Sequence, residues 1–252
     1  MRSFLKSPQP CRAAVLALAV LAARDANAQS SSSPDNQYRV STYFSHPVIG
    51  RLSGALVVTF YETPENDSKT FRVTAPNLIY KARPWLEGVG GLLMSWTRDD
   101  PSSGDSNELR PFVGAKVYLP NAVHVHLYDL TRFEWRRIDK SDDGIQWKER
   151  LRTRVGAEFP LSARAWQPRT FYGIASVEPF IDVNDGFVEE LRFGAGAGYV
   201  RSDRLRLEFL YMEQLQRSAA GDPMTLSDNI FRLNIRYSFK EGLLHRQTSH
   251  EP

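Results

Sequence analysis

His124 and His126, two residues apart, are the side chains in this sequence whose type and spacing first suggest chemistry. On an extended chain residues i and i+2 share a face, so both imidazoles would point the same way, with Tyr128 beyond them. A hydrolytic histidine needs a Ser nucleophile at hydrogen-bond distance and a carboxylate or amide to orient it. No Gly-x-Ser-x-Gly segment marks such a nucleophile. A zinc site needs three or four ligands, and no third is indicated. Glu189 and Glu190 are adjacent in a strand-like run, so they face opposite ways and cannot act as one pair. Phosphate loops, dinucleotide fingerprints and Cys/His metal clusters are absent from the sequence. No catalytic residue, metal ligand or cofactor is therefore assigned, and the histidines read as polar residues of a strand.

The charges that do form a pattern are arginines and glutamates alternating with apolar residues. Phe231, Leu233, Ile235, Tyr237 and Phe239 share one face of the last such run, against Arg232, Asn234, Arg236, Ser238 and Lys240. Leu205, Leu207, Phe209 and Tyr211 oppose Arg204, Arg206 and Glu208. Leu191, Phe193, Ala195, Ala197 and Tyr199 oppose Glu190, Arg192 and three glycines. Leu151, Val155, Ala157 and Phe159 oppose Arg150, Arg152, Arg154 and Glu158, and Leu109, Val113, Ala115 and Val117 oppose Glu108, Arg110 and Lys116. Arg132 and Glu134 continue the series. A period of two is the signature of β-strands with one oily and one charged side.

The elements that must position these charges follow from length and composition. The chain has 252 residues, 42% hydrophobic, 24% charged and 12% aromatic, with a mean hydropathy of -0.40. A bundle of membrane helices is excluded, because each span needs about 20 consecutive apolar residues. Disorder is disfavoured by the aromatic content. A membrane β-barrel is compatible, since its alternating strands average to mild hydrophilicity.

Residues 1–28 read as a secretory signal peptide. Arg2, Lys6 and Arg12 make a basic start, Ala13 to Ala23 an apolar stretch, and Ala26-Asn27-Ala28 a cleavage site. Removing the leader takes away four of the 32 basic residues and one of the 29 acidic ones, leaving 28 of each. The pI of 9.0 thus belongs to the precursor, and basicity gives no reason to expect nucleic acid. Cys11, the only cysteine, leaves with the leader, so an exported chain would be held by strand pairing and burial without disulfides.

Ten strands are expected at 51–62, 70–82, 84–98, 107–118, 122–137, 147–159, 169–182, 187–200, 204–217 and 229–240. Most run ten to fifteen residues, against about five or six in soluble sheets. Longer polar connections alternate with tight ones such as Pro120-Asn121 and Ser202-Asp203, and with ten strands both termini fall on the tight-turn side. Residues 29–50 read as a polar linker followed by one further alternating run, Tyr38–Phe44, which makes the strand number ten to twelve. The Leu161–Pro168 connection is long for a tight-turn side. Residues 241–252 form a polar tail with His245 and His250.

Alternation alone does not say which face is inside. A soluble barrel would gather the oily faces into a core; a transmembrane one would turn them to lipid. Long strands, aromatic residues near strand ends (Trp85, Trp96, Trp135, Trp147, Tyr199, Tyr237 and Phe239) and small residues at mid-strand favour the transmembrane version. The lumen would then be lined by the charged series above, richer in arginine than in carboxylate. Such a lining either attracts anions or fills a narrow barrel with ion pairs.

Several stretches also resemble a known family. Arg150-Leu-Arg-Thr-Arg-Val-Gly-Ala-Glu-Phe-Pro-Leu161, the strand Ala175–Asp182, Arg192-Phe-Gly-Ala-Gly-Ala-Gly-Tyr199, Arg204–Gln214 and Asn229–Phe239 are similar to the domain of unknown function 2490 family. The resemblance implies an exported bacterial outer-membrane β-barrel and brings no catalytic residues. The Phe231–Phe239 run also resembles the assembly signal of outer-membrane proteins, although here residues 240–252 follow it.

The expectation is an all-β, antiparallel up-and-down transmembrane β-barrel of ten to twelve strands, structural or a narrow channel with an Arg-rich lumen. It would sit among the lipids of a Gram-negative-type outer membrane, inserted there by the barrel-assembly machinery. A lipid-modifying enzyme in the same membrane, or a soluble periplasmic carrier with an oily cavity, are the alternatives.

Overall fold

A computed structural model describes residues 33–99, 104–119, 125–141, 143–161 and 166–239. The expected leader, His124, His245, His250 and the polar tail lie outside the described residues. Eleven strands form one closed barrel: β1 (Asp35–Ile49), β2 (Leu52–Thr63), β3 (Ser68–Arg83), β4 (Leu86–Arg98), β5 (Ser106–Leu119), β6 (His126–Lys140), β7 (Gly144–Pro160), β8 (Thr170–Asp182), β9 (Phe187–Val200), β10 (Leu205–Gln216) and β11 (Thr225–Ser238). A 3-10 turn at Pro64–Asn66 lies in the β2–β3 connection.

Sequential strands pair antiparallel, and the barrel closes through a parallel seam between β1 and β11, from Asp35↔Asp228 to Ser45↔Ser238. The run Tyr38–Phe44 is therefore a wall strand, paired on its other edge with β2, and the wall begins at Asp35 instead of residue 51. With an odd number of strands, β1 starts at one rim and β11 ends at the other. This differs from the placement of both termini on one side that ten strands require. We call the rim carrying the turns at 50–51, 84–85 and 201–204 the lower rim; the end of β4, the start of β5 and the connection 217–224 lie at the upper rim. The expected Pro120-Asn121 turn lies outside the described residues, and β6 starts at His126.

The upper end of β1 is tied to the β2–β3 connection. Asn36 donates to the Glu65 carboxylate from its backbone N–H (3.2 Å) and from Nδ2 (2.8 Å). The side-chain bond chiefly holds that carboxyl below its ordinary pKa.

Burial is inverted relative to a soluble barrel. A continuous outward row crosses six neighbouring strands in register: Trp96, Phe71, Phe60, Val40, Leu233 and Phe209. All six side chains are exposed, Phe209 by 57%. Outward aromatic residues gather towards both ends. Tyr38 stacks on Phe231 (5.5 Å) and Phe71 on Trp96 (5.9 Å) in the upper part; Phe171 packs on Tyr199 (4.8 Å) and Tyr237 on Phe239 (4.9 Å) in the lower. Inside, Arg39, Arg110, Glu134, Arg150, Glu178, Glu190 and Glu208 are buried. Strand side chains alternate between the two faces, so these charges, set by the sequence at every second position, turn inward.

One sector of the interior is apolar. Tyr172, Ile174, Val200, Leu210, Met212 and Ile230 form a cluster, with Trp166 packed against it. Glycines on β9 make room for it: a Cβ on Gly198 would lie 2.1 Å from the Tyr172 ring.

Candidate functional site

The charged interior is built by cross-strand register. Glu134 on β6 faces Arg150 on β7, while Arg132 faces Arg152. The second pair is like-charged and would repel, so its neutralisation comes from the diagonals. Glu134, only 1% exposed, sits among four arginines: Arg150 (2.8 Å), Arg132 (3.2 Å), Arg110 (3.3 Å) and Arg152 (3.8 Å). Glu178 on β8 accepts from Arg152 and, in a fork, from Arg154 Nε and Nη2, both at 2.9 Å. Such forks are the strong form of carboxylate recognition. Phe180 lies beneath them, with the guanidinium carbons of Arg150, Arg152 and Arg192 at 4.7, 4.8 and 4.7 Å from its ring centre.

On β10, two strands from β8, Glu208 accepts from the Tyr172 hydroxyl (2.9 Å) and Asn234 Nδ2 (2.8 Å), and pairs with Arg236 at 2.7 Å. Arg232 donates to the hydroxyls of Ser41 (3.1 Å) and Tyr43.

These groups lie between two cavities of the interior. The lower one, about 900 Å³, is lined by Arg51, Lys81, Arg83, Lys116, Arg206 and Arg236, with Glu87 and Glu158 among them. The upper one, about 350 Å³, is lined by Arg39, Tyr61, Arg72, Glu108, Arg136 and Arg192 among others. No residue lines both, and Glu134, Glu178 and Glu208 line neither. Chemically, the arrangement is two basic vestibules with a lattice of ion pairs between them.

The profile of a family described as proteins of unknown function, DUF2490, matches residues 30–225. The chain belongs to this family. The match takes in nearly every strand of the wall, including β1, and ends where β11 begins. No curated protein matches this DUF2490 chain.

Most residues assigned from the DUF2490 sequence to a lumen do face the barrel interior. Arg110, Arg132, Glu134, Arg150, Arg152 and Arg154 make the waist lattice with its borders. Glu108 pairs with Arg110 (2.7 Å) and Arg136 (2.6 Å), and Glu190 with Arg192. Lys116, in the lower cavity, lies over the rings of Tyr118 (4.5 Å) and Tyr128 (4.2 Å). Arg206 stands 5.9 Å from the Trp166 ring centre. Arg204 is different: it stands exposed in the β9–β10 turn, because β10 begins one residue later, at Leu205.

His126 lines the lower cavity, 3.7 Å from Glu158 and stacked face to face on Trp166 at 4.0 Å. No Ser, Thr or Cys is among the described residues lining that cavity, so the His–Glu pair has no nucleophile to activate there. Among the described residues no group of three or more His, Cys, Asp and Glu could hold a metal ion.

Sequence reasoning missed Glu178 and Phe180. Both faces of β8 are largely apolar, with Phe171, Ala175, Val177 and Ile181 outward and Tyr172, Ile174 and Phe180 inward. No alternation reveals which side is which. It also missed Arg39, Tyr61 and Arg72. The Tyr38–Phe44 alternation was the available signal, since it places Arg39 opposite the outward Tyr38 and Val40.

Proposed function

We propose that this protein is an outer-membrane β-barrel of structural or narrow-channel type, with lipid against its outer surface and an Arg-rich lumen closed at the waist by ion pairs. The observation that carries this reading is the inverted burial: a six-residue apolar row lies exposed on the outside, while Glu134 and Glu178, each 1% exposed, are sealed inside. In water that outer surface would be a large aggregation liability; against lipid it is the favourable solution. Aromatic residues towards both ends suit the two membrane–water interfaces. Strands of 12 to 17 residues exceed the 9–11 or so that a tilted strand needs to cross.

A soluble carrier would need Leu207, Phe209 and Leu233 to converge on a cavity, and they point outward. A lipid-modifying enzyme would need a nucleophile beside His126, and the lower cavity offers none among its described residues.

The test is fractionation followed by folding in detergent, heat-modifiable electrophoresis and planar-bilayer conductance. The protein should sediment with outer membranes and migrate as a compact species until boiled. Its steps should be small or rare, because the waist lattice blocks free passage. Recovery as a detergent-independent soluble monomer would overturn the reading.

A further inference from the structure

The upper cavity has two unlike walls. On β5 to β9 every guanidinium is answered by a carboxylate: Arg110 and Arg136 by Glu108, Arg150 by Glu134, Arg192 by Glu190. On β1 to β3 the pattern stops. Arg39, 7% exposed, donates through Nε to the neutral Gln37. Arg72 donates to the Tyr61 hydroxyl at 2.9 Å, and its buried Nε has no partner. Among the described residues, neither Arg39 nor Arg72 has a carboxylate within the 4.0 Å of an ion pair; Glu108 acts on Arg72 and Asp228 on Arg39 only from farther away.

Tyr61, on the strand between them, gathers the two cations. Their guanidinium carbons lie 5.0 and 5.2 Å from its ring centre. A third cation, Arg232, is the register partner of Arg39 across the seam and is held only by hydroxyls. Cation–π contacts attract each guanidinium, yet they do not replace the counter-charge that a buried cation needs. The site is thus electrostatically incomplete, and its missing component is negative.

We propose that Arg39, Arg72 and Tyr61 form a binding site for a small oxyanion, a phosphate or carboxylate group entering from the upper cavity. Two guanidiniums can offer paired N–H donors, the geometry that suits either group. Hydroxyls of Ser95, Thr97 and Ser106 line the same space and supply further donors. A cavity of about 350 Å³ is at the small end of ligand sites, which fits inorganic phosphate or a short dicarboxylate. The proposal rests on the reading of the interior as the polar side of a membrane barrel, and it gives that lumen a specific ligand class.

The test uses the folded protein in a maltoside detergent, which contributes no phosphate of its own. Inorganic phosphate and succinate are titrated calorimetrically against chloride at equal ionic strength, with heat-modifiable migration scored on every sample. Saturable binding of either anion is expected, weakened at least tenfold in Arg39→Gln and in Arg72→Gln. Arg39→Lys keeps the charge but loses the fork, and should fall between. Arg51→Gln, at the lower rim, should leave binding unchanged. A heat-modifiable wild type that binds neither anion overturns the site, as does binding that survives Arg72→Gln in a folded variant. The barrel reading fails by a different outcome, a wild type that shows no heat-modifiable form.

Discussion

Arg39 of β1 lies directly opposite Arg232 of β11 in the parallel seam that closes the barrel. Like charges facing each other across a strand pair are destabilising, and both guanidiniums are turned inward. The chain therefore closes its wall at a place where side-chain electrostatics oppose closure. Backbone pairing, unbroken from Asp35 to Ser45, and the outward contact of Tyr38 with Phe231 act in the other direction.

The seam predicts a specific crosslink. Val40 and Leu233 are register partners and both point outward. Neighbouring strands lie about 4.8 Å apart, within the Cα separation that a disulfide spans. Val40→Cys combined with Leu233→Cys should oxidise to a species with altered electrophoretic mobility, reversed by reductant. Pairing Val40→Cys with a cysteine at Phe209, one strand further on, should not. Equal crosslinking of both pairs would remove the seam.

Glu134 holds the waist together. Glu134→Gln preserves the shape but puts a neutral amide among Arg110, Arg132, Arg150 and Arg152, leaving Glu108, Glu178 and Glu189 as the carboxylates that face three of them. Breaking a buried charge pair costs about 3–5 kcal/mol. The urea midpoint in detergent should fall accordingly, and conductance should rise with a preference for anions. An unchanged midpoint together with unchanged conductance would show that the lattice does not close the lumen.

Much of this was legible in the sequence, for a physical reason. On β5, β7, β10 and β11 one face is apolar and the other charged, so a period of two identifies both the strand and its inward side: Arg150, Arg152 and Arg154 alternate with Leu151, Thr153 and Val155. Where both faces are apolar, as on β8, the strand is legible but its orientation is not, and Glu178 stays hidden. Closure was not legible either. Whether Tyr38–Phe44 pairs with β11 as well as β2 depends on contacts about 193 residues apart, such as Tyr38↔Phe231, and local alternation carries no information about them. The chemistry suggested by His124 and His126 was local in the same sense: spacing put them on one face, but the absence of a nucleophile near His126 is a property of the lower cavity.

Gly198 is required by the ring that it faces. A Cβ there would lie 2.1 Å from Tyr172 Cζ, and that ring is 2% exposed and bound to Glu208. Gly198→Ala should destabilise the barrel by about 1–3 kcal/mol, the usual cost of overpacking. Tyr172→Ala is costly alone, but combined with Gly198→Ala the two losses should sum to less than their separate values. Additive losses would mean that the ring and the glycine do not constrain each other. Gly88→Ala, with nothing within 4 Å of the added carbon, is the control.

Phe209 tests what lies outside. Its side chain is 57% exposed in mid-strand, in register with Leu233 and Ala197. Phe209→Arg should cost about 2–4 kcal/mol if the residue sits near a bilayer midplane, whereas an exposed surface change in water is usually within about 0.5 kcal/mol. The comparison is read from unfolding in liposomes. A second substitution removes the dependence on stability: Phe209→Cys, in a chain whose only native cysteine is Cys11 in the expected leader. A lipid-soluble maleimide should label it in intact vesicles, and a charged, water-soluble one should not until the vesicles are dissolved and the protein unfolded. The reverse order of reactivity would place Phe209 in water and require another explanation for the whole row from Trp96 to Phe209.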